Sequence, residues 1–175
     1  MKIALTIVAC VMLAIMGGLL FIYSGLYDVS AMKPDNPVVA WVLHKTFTES
    51  VAHRSQGLHP PSDLETPESV RSGARFFRDN CVICHGAPGV PPTDVSQGLL
   101  PSPPDLLSAA RQNEPAEVFW IVKNGVKMTG MPAFGKTQSD EQIWAIAAFL
   151  HKSRGIAAQD FQKLSGVGPD NTGGG

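Results

Sequence analysis

Cys81-Val82-Ile83-Cys84-His85 is the stretch that decides how this 175-residue chain is read. Two thiols separated by two residues and followed at once by an imidazole have three chemical readings. Half of a zinc site needs two further ligands at suitable spacing. There is no second cysteine pair, and His44, His53, His59 and His151 are scattered. A redox dithiol needs a strand–helix–strand setting, and no stretch of the chain reads convincingly as a strand. The third reading is covalent haem attachment. The thiols add across two vinyl groups as thioether bonds, and the histidine stands under the iron as an axial ligand. The flanking residues support this last reading.

Immediately upstream, Thr66-Pro67-Glu68 is a helix start: a hydroxyl cap, a proline in the first turn and a carboxylate near the positive end of the dipole. The helix is expected to run to about Asn80. Downstream, Pro88, Pro91, Pro92, Pro101, Pro103 and Pro104 exclude a regular helix or central strand over residues 86–106. So long an irregular segment in a small domain calls for a reason, and wrapping a cofactor is one. Residues 114–124 read as a helix stopped at Asn124-Gly125, and residues 127–136 as irregular. Ser139-Asp140-Glu141-Gln142 is a capping box opening a helix that carries Ile143, Ile146, Ala147 and Leu150 on one stripe. The last twenty residues, ending in Gly173-Gly174-Gly175, read as a flexible tail. The expected fold class is all-α.

An axial histidine leaves one more position on the iron. Met128-Thr129-Gly130-Met131-Pro132 lies between two helices. A thioether is a soft, neutral ligand that raises the reduction potential. Met131 is the preferred sixth ligand over Met128, because Pro132 fixes the chain beside it. His151, in the last turn of a helix, is the weaker candidate and reads as a surface group near the negative dipole end.

Residues 66–155 resemble a class I c-type cytochrome. The resemblance rests on the attachment motif, on Pro104-Asp105-Leu106 as the family's Pro-x-Leu element, on Met131-Pro132 as its axial-methionine element, and on Gly73 and Phe77 ahead of Cys81. It implies that the Pro104 carbonyl accepts a hydrogen bond from His85 Nδ1 and that Leu106 packs on the haem face. It implies that the first helix crosses the last, with Gly73 allowing close approach to residues 144–150. It also implies a domain facing the periplasm, since bacterial thioether formation takes place outside the cytoplasmic membrane.

Ahead of this domain, residues 3–27 contain no charged side chain. As a helix the run is long enough to cross the ~30 Å hydrocarbon core with some tilt. Lys2 precedes it, and Asp28 and Lys33 follow, a weak bias that fits an N-in anchor. A leader cleaved after Val29-Ser30-Ala31 is the rival reading; the run exceeds the usual h-region, which favours retention. Cys10 ends a lipid-attachment-like Ile7-Val8-Ala9-Cys10, too early in the run to serve as one. Asn36-Pro37 then starts a moderately amphipathic helix to about Arg54, whose Trp41 either sits at headgroup level or docks on the soluble domain. Residues 55–63, with Gly57, Pro60 and Pro61, read as a semi-rigid linker. The expected organisation is an anchor over 1–30, a helix and linker over 31–63, a cytochrome c domain over 64–155 and a tail over 156–175.

A net charge of −1 argues against nucleic acid, which would call for a basic patch. Residues 64–155 carry nine Lys/Arg and nine Asp/Glu, so no net field steers a partner. The expectation is a single-electron carrier with one haem c, anchored in lipid, serving an oxidase, reductase or dehydrogenase and taking no small-molecule substrate. A haem-based ligand sensor or redox enzyme subunit with a labile sixth ligand is the alternative.

Overall fold

The computed structural model describes residues 1–166 in two units, Met1–Lys33 and Pro34 onward. The first holds α1, Lys2–Tyr23. At about 1.5 Å per residue its 22 residues span roughly 33 Å, enough to cross a membrane, and none of its side chains is buried. Ser24 ends it, its Oγ donating to the Phe21 carbonyl at 2.7 Å. Asp28 and Lys33 pair at 3.2 Å in the segment that follows.

The second unit is helical, and among the described residues it has no strand beyond one isolated Ala87–Val90 bridge. It contains α2 (Pro37–Ser55), α3 (Pro67–Asn80), α4 (Val82–His85), α5 (Asp94–Gln97), α6 (Pro115–Asn124), a 3-10 turn (Phe134–Lys136), α7 (Asp140–Lys152) and α8 (Ala158–Ser165). The caps follow from the sequence. Asn36 Oδ1 accepts from Val38 N–H at 2.9 Å, Thr66 Oγ1 from Ser69 N–H at 3.2 Å, and Ser139 Oγ from Gln142 N–H at 3.2 Å.

The frame is the crossing of α3 and α7. α3 buries Val70, Gly73, Ala74 and Phe77, one face at helical spacing. α7 buries Ile143 and every residue from Ala145 to Leu150. Gly73 sits where they touch: a Cβ there would lie 2.0 Å from the Ala145 carbonyl oxygen and 2.8 Å from Phe149 Cβ. α6 closes the core, with Phe119 stacked on Trp144 at 4.0 Å.

Two segments differ from the sequence reading. Residues 158–165 are not a frayed tail. They form α8, which packs on α3 by burying Phe161 against Phe77 and Phe149, each at 6.2 Å between ring centroids. Arg78 also donates a guanidinium N–H to the Ser165 carbonyl. The rest of the expected tail, residues 167–175, lies outside the described residues. The linker, too, is held: Leu58 and Leu64 are half-buried against the core, and α2 buries Val51 and Ser55 and packs on α6. The unit therefore begins near Pro34, well before Leu64. A few apolar residues in a polar stretch make these attachments: Phe161 and Leu164 in α8, Leu58 and Leu64 in the linker, and Val51 in α2.

Candidate functional site

α3 delivers the cysteine–histidine stretch. Its last turn ends at Cys81, whose N–H donates to the Phe77 carbonyl at 2.8 Å and whose side chain is buried. The chain then makes one further helical turn, α4, with His85 N–H donating to the Cys81 carbonyl at 2.8 Å. Residues at i, i+3 and i+4 share a helix face, so Cys81, Cys84 and His85 stand side by side. Gly86, at φ +65°, turns the chain away.

A four-residue helix cannot hold its own end, and α5 holds it. Thr93 Oγ1 donates to the Ile83 carbonyl at 2.5 Å, and Ser96 Oγ donates to the Cys84 carbonyl at 2.6 Å. Both carbonyls belong to the orphan set at a helix C-terminus. The sequence reading missed these two hydroxyls; the only signal was a Thr-Asp-Val-Ser cap-like run inside a proline-rich loop.

His85 Nδ1 donates to the Pro104 carbonyl at 2.8 Å, a bond that fixes the tautomer and leaves Nε2 with a free lone pair. Burial keeps the His85 pKa below its ordinary value; the Arg111 charge adds to this and the Pro104 carbonyl opposes it. Burial, with Cys84 adding, pushes the Cys81 thiol up to about 12. At neutral pH the site thus presents a neutral imidazole and a neutral, nucleophile-poor Cys81 thiol.

The backbone after Pro104 is fixed from the far side. Buried Asn113, at φ +50°, donates from Nδ2 to the Leu106 carbonyl at 2.8 Å and to the Leu150 carbonyl at 2.9 Å. Gly155 N–H donates to the Leu107 carbonyl at 2.7 Å. Leu106 is half-buried on the same core that contains Cys81. Asn113 was also missed; a lone asparagine in a loop gives no pattern to read.

The methionine loop separates its two candidates. Met131 is half-buried and packs against the core. Its N–H donates to Thr129 Oγ1 at 3.1 Å, and its carbonyl accepts from Val126 N–H at 3.2 Å. Gly125, at φ +66°, lets the chain pass closely: a Cβ there would meet the Met131 oxygen at 2.9 Å and Ala133 N at 2.7 Å. Met128 is 97 % exposed. His151 pairs with Glu65 at 2.7 Å and joins neither group. Cys81 therefore lies in one apolar core against which Leu106 and Met131 pack.

The donor set fits a haem better than a simple ion. No three His, Cys, Asp or Glu side chains converge among the described residues as a zinc site requires. What is present is one oriented imidazole, two cysteines on the same helical turn, a half-buried thioether and apolar walls. Residues 68–150 match the family described as cytochrome c oxidase, cbb3-type, subunit III. Over those residues the chain is similar to a class I c-type cytochrome domain. The match supports haem c binding by these residues, and the all-helical fold follows an apolar helix long enough to cross a membrane. The chain is also similar to photosystem II extrinsic protein V of Porphyra purpurea, 28% identical over 101 residues, which are 58% of this chain. The chain spans about 59% of that relative's length. No solved structure matches it.

Proposed function

We propose that the protein is a membrane-anchored, mono-haem cytochrome that passes single electrons to or from membrane redox partners. In this reading Cys81 and Cys84 form the two thioether bonds, His85 Nε2 and the Met131 sulfur hold the iron, and Leu106 lies on the haem face. When bound, the haem supplies the one-electron Fe(II)/Fe(III) couple. The observation that carries the reading is the single turn α4, with His85 aimed by the 2.8 Å bond to Pro104.

The protein's own contributions are positional. The Pro104 carbonyl holds the imidazole in one orientation and tautomer and raises its basicity as a ligand. Met131 offers a neutral thioether, which favours the reduced state. With His85 and Met131 both holding the iron, no position would be left for substrate, and the group would supply outer-sphere electron transfer. The apolar core holding Cys81, with Leu106 and Met131 packed against it, offers the group an apolar wall. Residues 1–30 confine the carrier to the membrane plane, which raises its effective concentration near its partners. The family description favours an oxidase among the partners expected from the sequence. The domain is assigned to the periplasmic side of a bacterial cytoplasmic membrane, where thioether attachment takes place.

Expression with a functional maturation system tests the attachment. The denatured polypeptide should carry haem mass and stain for haem, and Cys81→Ser with Cys84→Ser should abolish both. A denatured wild-type chain free of haem overturns the reading. Carbon monoxide tests the ligation: the native reduced form should show no spectral shift.

A further inference from the structure

α2 is divided into two halves of opposite environment. Its second half is seated on the cytochrome domain: Phe47, Thr48 and Ser50 are half-buried, Val51 and Ser55 are buried, and the helix packs on α6. Its first half, Pro37-Val38-Val39-Ala40-Trp41-Val42-Leu43, carries no polar side chain at all. There Val38 is 68 % exposed, Trp41 66 %, Val42 47 % and Leu43 58 %. At 100° per residue, Val38, Trp41 and Val42 lie within about 100° of one another, and Leu43 lies on the far side. Such a turn-and-a-half, apolar around most of its circumference, is not a water-facing surface.

Two further observations identify what covers it. Thirteen residues, 24–36, join it to α1, which is long and apolar enough to cross a membrane. Fully extended, that segment reaches at most about 50 Å, so this half-helix stays tethered near a bilayer once α1 is inserted. The nearby lysines are also paired internally. Lys33 pairs with Asp28 at 3.2 Å, and Lys45 pairs with Glu49 at 2.5 Å. With Asp35 the charged side chains over residues 24–49 sum to −1, so the surface offers no net positive charge to an acidic partner or an anionic lipid; it offers apolar area and one tryptophan, the side chain suited to the boundary between headgroups and acyl chains.

We propose that residues 37–43 of α2 insert into the interfacial layer of the bilayer that α1 spans, making α2 a strut between lipid and cytochrome. This rests on α1 being a membrane anchor, as proposed above. One end of the helix is held by lipid and the other by α6. α6 leads directly through Gly125 into the loop bearing Met131. A helix held at both ends in this way is not a free linker.

The test uses the full-length holoprotein in phosphatidylcholine vesicles, with and without bromine on the acyl chains. Subtracting the emission of Trp41→Phe isolates Trp41 from Trp120 and Trp144. The expected result is at least a halving of Trp41 emission by brominated lipid, little quenching by aqueous iodide, and no change on adding salt or anionic lipid. In Val38→Lys with Val42→Lys, iodide quenching should return and bromine quenching should fall. Iodide quenching without bromine quenching in the wild type overturns the proposal, because Trp41 then faces water. Protection from both quenchers also overturns it, because a second copy or another protein then covers the face; sedimentation separates those cases. Vesicle flotation reports α1 independently. A chain that fails to float refutes the anchor, and the strut with it; a chain that floats with Trp41 in water refutes the strut alone.

Discussion

Consider Gly73→Ala, which adds one methyl group at the crossing of α3 and α7. The new carbon would lie 2.0 Å from the Ala145 carbonyl oxygen, 2.6 Å from its carbonyl carbon and 2.8 Å from Phe149 Cβ. An ordinary carbon–oxygen contact is about 3.3–3.6 Å, so the helices must part by more than about 1 Å along that line. The obstructing atoms are backbone and Cβ, and no rotamer change relieves them. Parting also loosens α7, which buries seven side chains in this core. Overpacking of this kind costs about 3 kcal/mol or more, the upper end of its usual range. Alanine returns roughly 1 kcal/mol through its better helix propensity. The net loss is therefore about 2 kcal/mol, which lowers a urea midpoint by about 1 M for a slope near 2 kcal/mol/M. Urea unfolding of the full-length holoprotein in detergent, followed by far-UV circular dichroism, reads it out, and Gly73→Ser should fall lower still. An Ala midpoint equal to or above wild type would refute the close approach, since only the propensity gain would remain.

Three further outcomes follow from the site and its supports. Met131→Ala should lower the reduction potential and let carbon monoxide bind the reduced form, whereas Met128→Ala, at an exposed position, should do neither; redox titration and gas-binding spectra check both. Asn113→Ala should lose about 2–4 kcal/mol in thermal unfolding, because it strands the Leu106 and Leu150 carbonyls at about 1–2 kcal/mol each. Asn113→Asp, which tolerates the same backbone but lacks the donors, should not rescue it. The His151 hydrogen bond holds the Glu65 carboxyl below the usual range; desolvation opposes it, and the Lys152 hydrogen bond and charge then add to the lowering. A depressed carboxylate contributes stability that is present above its unfolded value and lost as pH falls through the folded one. Glu65→Gln should therefore reduce Tm at pH 6 and converge with wild type as pH falls below the ordinary glutamate value of 4.5. The difference should stay under about 1 kcal/mol, since the pair is partly exposed.

How legible each part was depends on how far its signal lies from the residue that uses it. The starts of α2, α3 and α7 could be read directly, because Asn36, Thr66 and Ser139 bond to amides two or three residues ahead. The α3–α7 frame was legible through Gly73 and Phe77, whose spacing puts both on the buried face. The family was legible because one helical turn, Cys81 to His85, carries its motif. α8 was not read from the sequence: it is attached by Phe161 and Leu164 and by a Ser165 carbonyl that accepts from Arg78, 87 residues away. The docked half of α2 hid for the same reason, behind Val51 among polar neighbours.

The same distinction explains how the irregular half of the domain keeps its shape. Residues 86–114 have almost no regular backbone pairing, and their carbonyls and those of α4 still need donors. Side chains supply them. Thr93 and Ser96 hold α4 from α5, His85 takes Pro104, and Asn113 ties Leu106 to the end of α7. These bonds form a relay from the cysteine turn to the helix frame, and each link joins a backbone carbonyl to a side chain rather than one helix to another. Loss of a link at the cysteine turn, away from α7, should therefore disturb the site before the frame. Ser96→Ala releases only the Cys84 carbonyl, so it should broaden the spectroscopic signature of the iron ligands while moving the unfolding midpoint by only about 1 kcal/mol. Gly73→Ala, acting on the frame itself, should do the reverse in the fraction that remains folded.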